Sequence, residues 1–491
     1  MNTGTLPHSC PEAQGVSSPL LLDFVDALDT TIPEMHGLVL LRRGRVVAKG
    51  WWAPCGAELP HMLFSLTKSF VSTGVGFAVS EGRFSINDTV TSFFPEKLPR
   101  RVSKNLAAMR VRHLLSMSTG HTADPAQPWA SRRDGDWVKG FFAAPVEQEP
   151  GARFLYNSAA SHVLSALVQK VTGQTLQDYL SPRLFAPLGI SPFSWDTDPQ
   201  GINVGGWGLM MKTEEIARFG QLYLQNGVWN GDQVLPAAWV TEATSRQISN
   251  RGADSSEPEH DWNQGYGFQF WRCRHGAYRG DGAFGQFCVV FPHHEAVLAM
   301  NGGVREMHAV LNVVWDKLLP AFQPGPLPQD PGAEHALQER LSGLSLGAPG
   351  PMPVSALASS VNGTVYVMDP NERHMDTIRV EAGPRGCILH ARQQAQEAAA
   401  DCAYEGWHFS ESAVFGPSLQ PLAGHAAWVQ PDTLRLTLRR YLTPFVFTVD
   451  LFFRADQVTL TVRMNVNMGP TEFPAVHGTA KPARRKRPRS H

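Results

Sequence analysis

The chain has 491 residues, with 43 Lys+Arg against 44 Asp+Glu and a formal net charge of -1. That length holds two or three domains and a large core, and 43% hydrophobic with 18% charged residues excludes disordered, collagen-like and fibrous classes. Six of the basic residues crowd into Lys481–His491 without an acid, leaving -7 on the body, so the body does not suit nucleic-acid binding and the tail over 479–491 reads as a solvated, disordered end.

Leu20–Leu28 has helical apolar spacing, and Leu38–Leu41 with Val46–Trp52 around Arg42-Arg43-Gly44-Arg45 predicts a β-hairpin. Helix signals then dominate: Ser65–Ser80, Val111–Met117, Ala159–Val171 ahead of Gly173, Leu176–Leu184 and Thr213–Leu224, with turns at Asn226-Gly227 and Asn230-Gly231. Tyr266–Trp271, Phe287–Phe291 and Ala296–Met300 read as strands, followed by a helix over Glu306–Leu319. The simplest assembly is an α/β (α+β) domain over 1–322. Early hairpin and late strands close one antiparallel sheet, helices flank it, and a helical insertion lies between. Two Pro/Gly clusters mark a linker over 323–353, with a short helix inside it. Beyond, Thr364–Val367, Ile378–Glu381, Thr433–Leu438, Phe445–Phe453 and Val458–Met464 alternate and predict an all-β sandwich or barrel over 354–478.

The six cysteines are scattered without a CxxC pair, which argues against a disulfide scaffold or zinc ribbon. The N-terminus lacks a basic and then apolar leader, and no run of about 18 apolar residues occurs. A soluble, cytoplasmic protein without membrane attachment is expected.

Three places carry chemistry. Ser65-Leu66-Thr67-Lys68 is a Ser-x-x-Lys at the start of a helix, where residues three apart share a face. Lysine can take a serine proton only when neutral, and at an ordinary pKa about one in 2,500 is neutral at pH 7, a deficit of roughly 4.6 kcal/mol that burial must remove. A capping Ser followed by a solvated Lys would read the same. Tyr156-Asn157-Ser158 lies at a loop-to-helix junction, where a phenol can relay the serine proton and Ser158 can bind a substrate carbonyl, or where Asn157 or Ser158 merely caps a helix. Gly280-Asp281-Gly282 opens a strand whose edge could face a substrate, or forms an ordinary Asp-Gly turn.

With Arg112–Met117 (RHLLSM) and Phe185–Ile190 (FAPLGI), this order of motifs resembles the serine β-lactamase and penicillin-binding-protein superfamily over roughly residues 10 to 320. The likeness is greatest to its class C-like branch, with the family VIII esterases and nylon-oligomer hydrolases. The resemblance implies a serine hydrolase working through an acyl-enzyme. Ser65 would be the nucleophile, Lys68 its proton acceptor, Tyr156 the relay to the leaving group, and the N–H groups of Ser65 and Ala283 the oxyanion hole. It implies no cofactor and no metal.

Two departures bear on substrate. Tyr-x-Asn is replaced by Tyr156-Asn157-Ser158, and Lys-Thr-Gly by Gly280-Asp281-Gly282, which puts an anion, Asp281, a candidate substrate-binding residue, where a carboxylate-binding cation stands. An alternative register, Tyr278-Arg279-Gly280, would bring Arg279 near the pocket. Both changes weaken the case for penicillins and D-Ala-D-Ala peptides and favour a neutral or amine-bearing small-molecule ester or amide. A β-lactamase or D-alanyl-D-alanine carboxypeptidase stands as the alternative within the class, and a non-catalytic binding protein on a hydrolase fold as the alternative outside it. Trp207, between glycines in Gly205-Gly206-Trp207-Gly208, is a candidate pocket wall. The Gly343–Gly347 match to a GxSxG elbow ends a helix in the linker and lacks the strand-turn-helix setting. His293-His294-Glu295 has no spaced partner ligands and reads as a turn. Three uses are open to the C-terminal domain: shielding the pocket, building a homodimer, or binding something unrelated.

Overall fold

The computed structural model describes residues 6–126, 132–192, 194–251, 259–347 and 354–481. They form two compact units, one of residues up to 52, 56–302 and 306–344, the other of 53–55, 303–305 and from 345 onward.

In the first unit the hairpin forms as Met35–Arg42 and Arg45–Trp51, turning through left-handed Arg43 and Gly44. A six-stranded sheet runs Arg45–Trp51, Met35–Arg42, Ala296–Gly302, Gln286–Phe291, Tyr278–Gly282, Trp271–Arg272, with every pairing antiparallel. All eight residues of Met35–Arg42 are buried, so the strand is covered on both faces. One cover is the helix Thr213–Leu224, which lies so close that a Cβ on Gly220 would come within 2.5 Å of Val297. The helical insertion carries Thr67–Ser80 and Ser158–Thr172 through its centre. Thr67–Ser80 is buried nearly throughout, and Gly74 and Gly76 let Leu176 and Trp239 lie against its backbone.

The expected strand over Tyr266–Trp271 does not form. Only Trp271 joins the sheet, and the strand beside Gln286–Phe291 is Tyr278–Gly282, whose two glycines have poor strand propensity. The Asp-Gly pair lies inside that strand, and the turn falls at Ala283-Phe284-Gly285 with Phe284 and Gly285 left-handed. His293-His294-Glu295 is the turn between Gln286–Phe291 and Ala296–Gly302. Within the expected linker, Pro331–Ser342 is a helix of the first unit, its Arg340 paired to Asp26 and Asp29 and its Leu337 and Leu341 buried. Residues 348–353 of that linker and 482–491 of the basic tail lie outside the described residues.

The second unit is a β-barrel. Nine strands follow in the order Gln396–Ala403, Gly386–Gln393, Met375–Ala382, Val365–Met368, Val476–Ala480, Gln457–Met464, Val446–Arg454, Thr433–Arg439 and Gln420–Gln430. The ring closes where Ala403 pairs in parallel with His425, and His408–Ser412 flanks Gln420–Gln430 as a tenth strand. Strict alternation, as in Thr433–Arg439 with Leu434, Leu436 and Leu438 inward, fills the interior.

Candidate active site

Ser65 sits in a single 3-10 turn, Phe64–Leu66, between the short strand His61–Met62 and the helix Thr67–Ser80. Phe64 is left-handed at φ 47°, a conformation that costs a non-glycine residue on the order of 1–3 kcal/mol and that packing must hold. Its ring meets Phe284, also left-handed, edge to face at 5.4 Å. Two left-handed aromatics, one inside the turn and one packed on it, thus stand where the serine is presented.

One helical turn on, Lys68 is fully buried and donates to Ser65 Oγ at 2.9 Å and to the Gly206 carbonyl at 2.6 Å. Burial pushes its pKa down to about 7, against the opposing pull of Asp124 and Asp281. The capping-serine alternative therefore does not describe this Lys68, since its head is in the core beside the hydroxyl. Tyr156 completes the group. Its ring centroid lies 4.9 Å from Lys68 Nζ and its hydroxyl is bonded with Ser65. Burial, with Asp281 nearby, raises the phenol well above its ordinary range, so it stays protonated.

The loop 205–208 passes the helix Ser158–Thr172 at very short range. A Cβ on Gly205 would lie 2.1 Å from Ser161 O, and one on Gly206 3.1 Å from Ser158 Cβ. Gly205 has no room for a side chain and Gly206 little, and this path delivers the Gly206 carbonyl to Lys68. Trp207 follows, half-buried, 6.1 Å from Trp137. Behind the loop, Gly205 N–H donates to His162, which pairs with Asp198 at 3.1 Å, both side chains fully buried.

The third motif reaches the Ser65 turn in the same manner. Opposite Gln286, Gly282 approaches so closely that a Cβ would lie 2.0 Å from Leu63 O and 3.1 Å from Ser65 N. Ala283, half-buried, comes next in the chain and so stands beside the nucleophile turn. Arg279 and Asp281, two residues apart, share one face of the strand and pair at 2.9 Å. Arg279 is fully buried and stacks over Trp262 at 4.3 Å and Trp271 at 5.6 Å. Asp281 is also bonded to Trp271, which lies parallel to Tyr156 at 5.5 Å. The Asp281 carboxylate is thus committed to Arg279 and Trp271, and the Arg279 charge is matched by Asp281.

Asn157 is buried and caps its helix by accepting from Ala160 N–H at 2.9 Å, while its amide donates to Thr119. Ser158 donates its backbone N–H to Asp124 at 2.8 Å. Asp124 is one residue beside this site that sequence reasoning missed. It receives the helix N-terminus from 34 residues upstream and pulls on Lys68, and no local pattern announces it. The Gly206 carbonyl and Trp271 were missed for the same reason.

The chain matches the Beta-lactamase family over residues 25–309, more than half its length. It belongs to that family. Among relatives of this family member, the 6-aminohexanoate-dimer hydrolase of Paenarthrobacter ureafaciens is 27% identical over 304 residues, covering 56% of this chain and 76% of the relative. Esterase EstB of Burkholderia gladioli is 28% identical over 171 residues, covering 32% of this chain and 43% of the relative. A penicillin-binding-protein homologue from Caulobacter crescentus superposes with a TM-score of 0.51 at 17% identity, over 65% of this chain and 100% of that one, which shows the shared fold. The family's lactamase-type fold is the one expected from the three motifs. No helix among the described residues is long and apolar enough to cross a membrane.

Proposed function

We propose that this member of the Beta-lactamase family is a serine hydrolase that cleaves a small-molecule carboxylic ester or amide through an acyl-enzyme on Ser65. The observation that carries the reading is Lys68, buried within 2.9 Å of the hydroxyl and poised to be half neutral near pH 7. Neutral Lys68 takes the Ser65 proton as Oγ bonds to the carbonyl carbon, and the oxyanion is held by the N–H groups of Ser65 and Ala283. The ammonium gives the proton back through the Tyr156 hydroxyl to the leaving alcohol or amine. Water, deprotonated by the same pair, then releases the acid. Lys68 rather than Tyr156 is the base, because burial shifts the two in opposite directions: the lysine toward neutral pH, the phenol away from it.

The relatives' names support ester and amide substrates. The Arg279–Asp281 pair supports neutral or amine-bearing ones over penicillins, because the cation a substrate carboxylate would need is already matched. Ser158 borders the loop that holds Lys68, Trp207 lies in it, and both are read as substrate contacts; Asp281 is read as acting on the site through Trp271 and Lys68 rather than by touching substrate. We place the enzyme in the cytoplasm, a reading supported by six cysteines that are all thiols. The test is hydrolysis of p-nitrophenyl butyrate by the wild type and by Ser65→Ala. Turnover that falls to background in the mutant is expected, whereas equal rates would remove Ser65 from the mechanism. A fluorophosphonate should add one adduct mass to the wild type and none to the mutant.

A further inference from the structure

The barrel holds a cavity of about 680 Å³ between the strand ends near Arg373, Arg440 and Phe473. Its apolar wall is aromatic: Phe415 and Phe447 stack at 5.6 Å, and Phe473 and Met464 line it as well. Two guanidinium groups lie on that wall. Arg373 stands 4.1 Å over the Phe473 ring and 5.4 Å over Phe415, and Arg440 stands 4.9 Å over Phe447.

Neither arginine has a carboxylate partner among the described residues. Arg440 donates one long bond to the Val414 carbonyl at 3.4 Å, and Arg373 Nε is buried with no hydrogen-bond partner among the described residues. Other barrel arginines differ: Arg435 is paired with Asp450 at 2.7 Å and Arg379 with Glu381. The one carboxylate among the lining residues, Glu372, is exposed and ion-pairs with neither. Burial alone pushes both guanidinium groups down, with no charge to offset it. A partly desolvated cation without a counter-charge is costly, and two on the wall of one cavity leave a place there for an anion to supply it. The planar fork selects an oxoanion, and the phenylalanine wall selects an apolar body joined to it.

We propose that the C-terminal barrel carries a second binding site, separate from the serine centre, that takes a small organic oxoanion with an apolar body, its head on Arg373 and Arg440 and its body on Phe415, Phe447 and Phe473. The inference does not depend on the hydrolase reading, since every residue it uses lies in the second unit.

A carboxylate and a phosphate monoester share this chemistry, so the full-length protein is titrated calorimetrically with decanoate, decyl phosphate and neutral decanol. Decanoate or decyl phosphate should bind at sub-millimolar concentration and at least about tenfold more tightly than decanol, the tighter of the two naming the head group. Arg373→Met and Arg440→Met should each weaken the anion about tenfold and leave decanol unchanged, while Arg385→Met, at a different barrel site, changes neither. Near-UV circular dichroism checks that each variant is folded. Equal binding of decanol and both anions by the wild type would overturn the proposal whatever the variants do. So would anion binding that both folded variants retain, or no anion binding below about 1 mM.

Discussion

Among the described residues Lys68 has no carboxylate bonded to its ammonium; its bonds go to a hydroxyl and a carbonyl, which is why burial prevails and its pKa falls to about 7. Only the neutral amine can accept the Ser65 proton, and its fraction falls tenfold for each pH unit below 7. The pH profile of kcat/KM for a neutral ester should therefore rise with a slope of one up to about pH 7 and level off above it. Asp281 is one of two anions that hold this value up. Asp281→Asn removes it and leaves Arg279 unmatched in the core, and both changes disfavour the lysine cation, so the acid limb should move to lower pH. The orphaned guanidinium should cost about 3 kcal/mol in urea unfolding. A limb that stays in place would deny Asp281 any hold on the lysine. Ser65, Lys68 and Tyr156 were legible because each stands in a short motif, and the structure brings the three together. Asp124 and the Gly206 carbonyl were not, since one reaches its target across a loop and the other is a backbone atom that every residue carries.

At the scale of elements, the two glycine passages decide whether the site exists. Gly282→Ala would drive a methyl into Leu63 O and against Ser65 N, so the strand must back away from the nucleophile turn. Overpacking of this kind costs about 1–3 kcal/mol of stability, and on the proposed mechanism, loss of the Ala283 N–H as oxyanion donor should lower kcat on the order of 100-fold. Gly325→Ala, which meets nothing within 4 Å, should change neither urea midpoint nor kcat. The same glycines explain the misread sheet. Tyr266–Trp271 is rich in aromatics and looks like a strand, yet its ends, Tyr266 and Trp271, pack beside Tyr156, and Phe268 and Phe270 turn into the main core. Tyr278–Gly282 looks like a turn because its residues are chosen for close approach. In the barrel, Thr433–Leu438 and Val458–Met464 were plain from their alternation. Gln396–Ala403 was hidden by its alanines, which are weak strand formers, and becomes a strand through its neighbours.

For the whole molecule, two units with separate cores account for a chain whose motifs end near residue 285 while its apolar alternation continues to 464. The cysteines divide in the same way. Cys273 and Cys288 are buried in the first unit and Cys387 and Cys402 in the second, and burial raises all four thiols, Cys273 to about 11, Cys288 and Cys387 to about 12. Half-buried Cys10 should therefore react promptly with Ellman's reagent in the native protein, and these four only as their own unit unfolds. Early release of all six thiols under native conditions would contradict both cores.

The grip of Gly206 on Lys68 has a consequence for how this family member can diverge. A side-chain partner can be lost by a single codon change, but a carbonyl survives every substitution at its own position. Drift at 206 can alter only the bulk that must squeeze past Ser158, and so the distance at which the acceptor is held. The anchoring of Lys68 is written into the course of the main chain, where selection on neighbouring residues protects it indirectly.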